Sequence, residues 1–352
     1  MSAFRTSFTA IAAAMLAVAC GGGGGGDGGG SVIPPPPTDV LISAANQDAV
    51  ARASVASIMP FVNVPVAPGA EQASAVAPGG LTQLALRSIK SSVRQSTPTA
   101  DGMARPLALL QEDLPCAISG TFTAVLDDKD NNGTISAGDS ISMLFNGCVD
   151  EIGSTINGGL GMAILSYSLS PVAEDMMEAM TFQALTLVDP TGSFSMSGGF
   201  SFTITVRQTA DGSRLNGSYV IGSTGGLTVS KQGGSGGLPD TFTYNGYTVD
   251  VSTFIPSVSG ARSETINANG KFRSDALGGE LNLRTISGFT SNYTDATSEI
   301  YPLTGQLIAT GRNNTALGLT ATGTVQARMD MCDDGDGAWE ASKMMPWDSL
   351  YQ

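Results

Sequence analysis

The sequence predicts a mainly β protein: an antiparallel meander, as a curled sheet, a barrel or a sandwich, with a small N-terminal helical segment. Three observations predict it. Charged residues make up only 14% of the 352-residue chain while glycine contributes 45, a balance that favours many short strands over helices. Apolar alternations of period two recur, the mark of strands with one buried face. Clusters of Gly, Asn and Asp separate these runs with no helical pattern between them, so consecutive strands join by short turns and pair antiparallel.

Residues 44–59 are Ala-rich without Gly or Pro, and residues 80–93 place Leu81, Leu84, Leu86 and Ile89 close to helical spacing; both suit helices. Residues 60–78 hold four prolines and read as a loop. From Cys116 onward the pattern is β. In the cleanest run, Phe200, Phe202, Ile204 and Val206 alternate with Ser201, Thr203, Thr205 and Arg207. A second run spans 319–329, with Ala321, Val325 and Ala327 on one side and Thr320, Thr322, Thr324, Gln326 and Arg328 on the other. Further strands are expected at 118–126, 140–147, 156–168, 180–188, 214–222, 241–254, 262–273, 279–286 and 303–310. Aromatic residues are 6% of the chain, too few for the two interfacial girdles of a membrane-spanning barrel.

The N-terminus has the three parts of a secretory signal: Arg5, an apolar run over 8–18, and the small residues Ala17-Val18-Ala19. The run is shorter than the roughly 20 apolar residues that span a bilayer. Cys20 follows at once. This arrangement resembles the lipobox of bacterial lipoproteins, with Ala17 where the pattern prefers Leu, which here stands at Leu16. The resemblance implies cleavage before Cys20 and lipidation of that residue with acyl chains such as palmitate. Residues 21–30 are glycine except Asp27, and four prolines follow at 34–37, a flexible coil leading into a semi-rigid spacer. This is similar to the Gly-rich tethers of Gram-negative lipoproteins, in which Gly at the position of Gly21 implies sorting to the outer membrane, on a face left open.

Composition excludes several function classes. A net charge of −14 and a pI near 4.3 argue against nucleic-acid binding, which needs a basic face. There is no histidine, which removes His-based triads, His-ligated zinc and the usual general base near neutral pH. No G-x-S-x-G element or P-loop is present. No catalytic residue is assigned, and the chain is expected not to be an enzyme.

The most specific chemistry lies at 128–139, where Asp128, Asp130 and Asn132 alternate before Gly133, Thr134, Ser136 and Asp139. The segment resembles the twelve-residue EF-hand loop, shared by dockerin-like modules, with Asp139 where Glu is usual. The resemblance implies calcium bound by Asp128, Asp130, Asn132, the Thr134 carbonyl, Ser136 and Asp139, since a hard cation needs six or more oxygens. Its flanks read as strands, so the loop is expected to join a β-hairpin. Pairing residue 126 with 140 brings 116 opposite 150, within two residues of Cys148, and a bulge at Gly147 would put Cys116 and Cys148 on one face. An exported chain meets oxidising conditions, so this pair is expected as a disulfide. A second acidic loop, with Asp330, Asp333, Asp334, Asp336 and Glu340, is similar to the loops of thrombospondin type 3 repeats. That likeness implies a second metal site on Asp334, Asp336 and Glu340, with Cys332 in place of the first Asp.

The expected organisation is a signal peptide at 1–19, a tether at 20–39, a partly helical segment at 40–113 and an antiparallel β domain at 114–352. The expected function is a lipid-anchored, calcium-stabilised envelope protein for binding, adhesion or envelope assembly, held to a membrane by Cys20 and with its protein or lipid ligand open. The second reading is a carrier of a lipid or other apolar molecule, with a cavity lined by Phe200, Phe202, Ile204 and Val206.

Overall fold

The computed structural model describes residues 39–62, 110–132, 136–150, 153–189, 192–222, 226–232, 240–257, 262–293 and 301–351. The signal peptide, Cys20, the tether up to residue 38, the helix expected at 80–93 and Thr134 lie outside the described residues.

Two helices come first, α1 (Gln47–Ala56) and α2 (Met59–Val62), within the helix expected at 44–59 or just beyond it. The strands follow: β1 (Leu110–Pro115), β2 (Ser119–Asp127), β3 (Ser140–Val149), β4 (Thr155–Ser170), β5 (Ala173–Asp189), β6 (Gly192–Thr209), β7 (Gly212–Ile221), β8 (Leu227–Gln232), β9 (Asp240–Pro256), β10 (Arg262–Ser274), β11 (Gly279–Tyr293), β12 (Thr304–Thr310), β13 (Ala316–Ala321), β14 (Gln326–Cys332) and β15 (Ala341–Pro346). A short helix, α3 (Trp347–Leu350), ends the described chain. All fifteen strands form one antiparallel meander. β7 and β8 lie end to end in a single lane: β6 pairs with β8 through Ser193–Gly198 and with β7 through Ser201–Thr209. Among the described residues β1 and β15 pair only with β2 and β14. Among the described residues the sheet is therefore open, neither a closed barrel nor two separate sheets.

Two expectations need correction. The run 319–329 is not one strand but the hairpin of β13 and β14. Gly323 turns at φ 126°, and Thr322 hydrogen-bonds Gln326 through both its N–H and its hydroxyl, which leaves Val325 71% exposed. Strand pairing also begins at Leu110 rather than after 113, because Leu110–Pro115 lies antiparallel along β2.

One line of irregularities crosses the sheet. β3 carries an extra residue at 146–148, where pairing with β4 jumps from Phe145↔Gly158 to Cys148↔Ile156. β5 does the same around Ala184, the β7/β8 lane breaks at 222–226, β9 bulges around Gly246, and β11 between Thr285 and Phe289. The strands between them answer with left-handed glycines at 120, 158, 198, 270 and 305. Gly120 shows why: a Cβ there would sit 2.0 Å from the carbonyl oxygen of the Gly147 bulge. Asparagines before two of these glycines tie the bulges down, Asn157 Oδ1 accepting the Gly147 N–H at 2.7 Å and Asn269 Oδ1 the Thr285 N–H at 3.2 Å. Because bulges bend strands, a row of them in register bends the sheet along one crease.

The helices fill the inside of that bend. Phe61 of α2 packs its ring on Phe200, Tyr219, Tyr244 and Tyr247 at centroid distances of 5.4–6.3 Å. Tyr244 donates its hydroxyl to the Ser57 carbonyl at 3.0 Å, and Ser57 Oγ lies 3.1 Å from Tyr247 OH. One apolar cluster runs from α1 through β3 to α3. Phe200 also meets Phe182, and Phe202 stacks on Tyr219 at 4.5 Å. The residues expected to line a carrier's cavity are thus packed against aromatic neighbours, with Val206 half-buried beside them.

Candidate metal centre

The loop at 128–139 sits where the sequence places it, between two strands of one hairpin. β2 and β3 pair as Leu126↔Ile141 and Asp127↔Ser140, one residue from the expected register. The bulge at Gly147, with φ 57°, turns Cys148 onto the buried face of Ile141, Met143 and Phe145. Cys148 there forms a disulfide with Cys116, at a Cα–Cα separation of 5.4 Å. The loop is therefore closed at its base by the β2–β3 ladder and further out by a covalent bond.

Asp128 and Asp139, the first and last candidate ligands, are each 4% exposed, whereas Asp130 and Asn132 are open to solvent. One carboxylate oxygen from each of Asp128, Asp130 and Asp139 lies within 4.8 Å of the others. Backbone and side-chain donors hold these carboxylates in place. Asn132 N–H reaches Asp128 Oδ1 and Asp130 Oδ1, each at 3.2 Å, and its amide donates to Asp130 Oδ2 at 2.7 Å. Ser136 donates its N–H to Asp139 Oδ2 at 2.7 Å, with its hydroxyl 3.0 Å from Asp130 Oδ2. Lys129 N–H reaches Asp139 Oδ1 at 3.0 Å. For Asp130, desolvation acts to raise the pKa, but the hydrogen bonds from Ser136 and Asn132 outweigh it and leave the group below its ordinary value.

Two contacts invisible in the loop's own residues anchor it to the sheet. Gly138 N–H donates to the Ile164 carbonyl and Ile164 N–H to the Asp139 carbonyl, both at 2.8 Å. Asp139 is thus fixed by β4, the strand that follows β3 in the chain. Three anions this close repel one another unless a cation lies among them, and their oxygens suit a hard divalent ion. Of the six expected ligands, five are described and share this loop; Thr134 lies outside the described residues.

The second acidic loop also converges. Cys332 Sγ and one carboxylate oxygen from each of Asp334, Asp336 and Glu340 lie within 4.8 Å of one another, the cysteine buried and the acids exposed. Asp333 N–H donates to Glu340 Oε2 at 2.9 Å and Asp336 N–H to Asp334 Oδ1 at 3.0 Å. Asp330 belongs elsewhere, paired with Arg328 at 2.9 Å on β14. Among the described residues no helix is long and apolar enough to cross a membrane. No family model, no curated protein and no solved structure matches this chain.

Proposed function

We propose that the chain is a non-enzymatic envelope lipoprotein. Lipid on Cys20 holds it to the outer membrane, and a β body stabilised by calcium in the 128–139 loop serves in binding, adhesion or envelope assembly. The observation that carries this reading is the convergence of Asp128, Asp130 and Asp139 at the tip of a hairpin closed by the Cys116–Cys148 disulfide. Disulfides persist in oxidising compartments, and the chain has no histidine for acid–base work near neutral pH. Calcium would neutralise the clustered carboxylates, with Asn132, Ser136 and the Thr134 carbonyl completing its oxygen shell. The site joins two strands and is tied to a third, so the ion would stabilise the fold rather than open a groove. Packing of Phe200 and Phe202 against aromatic neighbours weighs against the carrier reading.

Calcium titration with thermal unfolding tests the assignment. The wild-type melting temperature should climb with calcium, gaining about 2.7 kcal/mol of stability at a hundredfold excess over Kd. The Asp128→Ala/Asp130→Ala variant should not respond. An equal response in both proteins rejects the site.

A further inference from the structure

Glu178 is a buried carboxyl that neither the metal centre nor the crease uses. It lies on the inner face of β5, where Met176, Met180 and Phe182 share its side of the strand. Only 1% of its surface is exposed, and among the described residues neither carboxylate oxygen has a hydrogen-bond partner. Its cross-strand neighbours are Ile164 on β4 and Phe202 on β6, both apolar. An ionised carboxyl cannot stay in such a place without large cost.

The groups beyond those neighbours do not relieve it. On β4 the titratable side chain on this face is Tyr167, which is engaged with Glu174 of β5. Past Phe202 stands Tyr219 of β7, and Glu264 of β10 acts on Tyr219. Arg207 of β6 is committed to Asp175, whose side chain alternates to the other face. Asp139 approaches through its backbone carbonyl, which accepts the Ile164 N–H. Burial alone therefore pushes the Glu178 carboxyl up, to about 7.

Strand pairing is incomplete and irregular beside this residue among the described residues. β3 begins at Ser140, opposite Ala163, so among the described residues β4 beyond Ile164 has no strand partner on that side. The β4–β5 ladder also slips at Leu165, where pairing passes from Ile164↔Glu178 to Ser166↔Met177. Among the described residues the hairpin end at 165–177 is thus an edge flap joined to the sheet through β6, and local opening draws on such low-stability segments.

We propose that this hairpin end is a proton-controlled flap, closed over Glu178 while the carboxyl is protonated and loosened when it ionises. The direction follows from linkage. A carboxyl whose folded pKa exceeds its open-state value of 4.5 keeps a proton that the open state has lost. Closure is therefore fully favoured below about 4.5 and weakens as pH rises to about 7, above which the loss is complete.

Hydrogen exchange of the full-length chain, with calcium held constant, tests it. Wild type, Glu178→Gln and the apolar Glu178→Met are compared at about pH 5.5 and about pH 8.5; the opening equilibrium of 165–177 in wild type should rise on the order of 30-fold between them. Both variants should show no such change once intrinsic exchange rates are divided out, and β13–β14 should stay protected in all three. A wild-type response matched by either folded variant, or no response in 165–177, overturns the proposal.

Discussion

Two glycines separate the parts played by backbone and by space. Gly270 adopts φ 121°, and a Cβ there would lie 2.2 Å from the Gly246 carbonyl oxygen; Gly278 adopts φ 70° with nothing within 4 Å. Alanine at either position pays for a sparsely populated backbone, about 1–3 kcal/mol, but only at Gly270 must the β9 bulge move as well. Urea unfolding should therefore show a larger loss for Gly270→Ala than for Gly278→Ala, and equal losses would mean that close approach at the crease is not what selects glycine. The same scale governs the acidic loop at 128–139. Its oxygen-bearing residue types are legible because Asp128, Asp130 and Asn132 alternate, but the burial of Asp128 and Asp139 is not. Asp139 is fixed by β4, whose Ile164 N–H donates to its carbonyl. Glu178 did leave a trace, since it occupies the inward parity of Met176, Met180 and Phe182; its lack of a partner needed three dimensions.

At the scale of elements, the crease needs something to fill it, and α2 does so with one ring. Phe61 is 1% exposed and touches four aromatic residues drawn from β6, β7 and β9. Truncating it to alanine should cost about 3–5 kcal/mol, as for other buried aromatics, read from denaturant midpoints. A loss below 1 kcal/mol would mean that the helices merely cover a sheet stable without them. Strand existence was readable from period-two alternation in β6, where both faces keep their chemistry across eight residues. The hairpin of β13 and β14 looks like one strand in sequence because Ala321, Val325 and Ala327 keep the alternation's parity straight through a turn. The last strand, β15, carries little pattern in sequence: of its residues Met345 is buried while Met344 is 47% exposed.

At the scale of the whole molecule, the charge of −14 would make a bound divalent cation stabilising beyond its own loop, by relieving self-repulsion. The proposed anchor predicts a clean partition. Cys20→Ala should move the protein from the membrane fraction to the soluble one, and continued sedimentation with membranes would remove lipidation as the cause of attachment. Composition, strand period, turn clusters and cysteine spacing were determined by the sequence itself, because each depends on near neighbours along the chain: a mainly β meander, a metal-type loop in a hairpin and a bulge at Gly147 bringing Cys148 to Cys116. Only the tertiary structure decided that, among the described residues, the sheet stays open and bends along one crease, that helices fill the bend, and that Glu178 has no hydrogen-bond partner. Those features depend on the register between strands, and a shift of one residue in register turns every side chain to the opposite face.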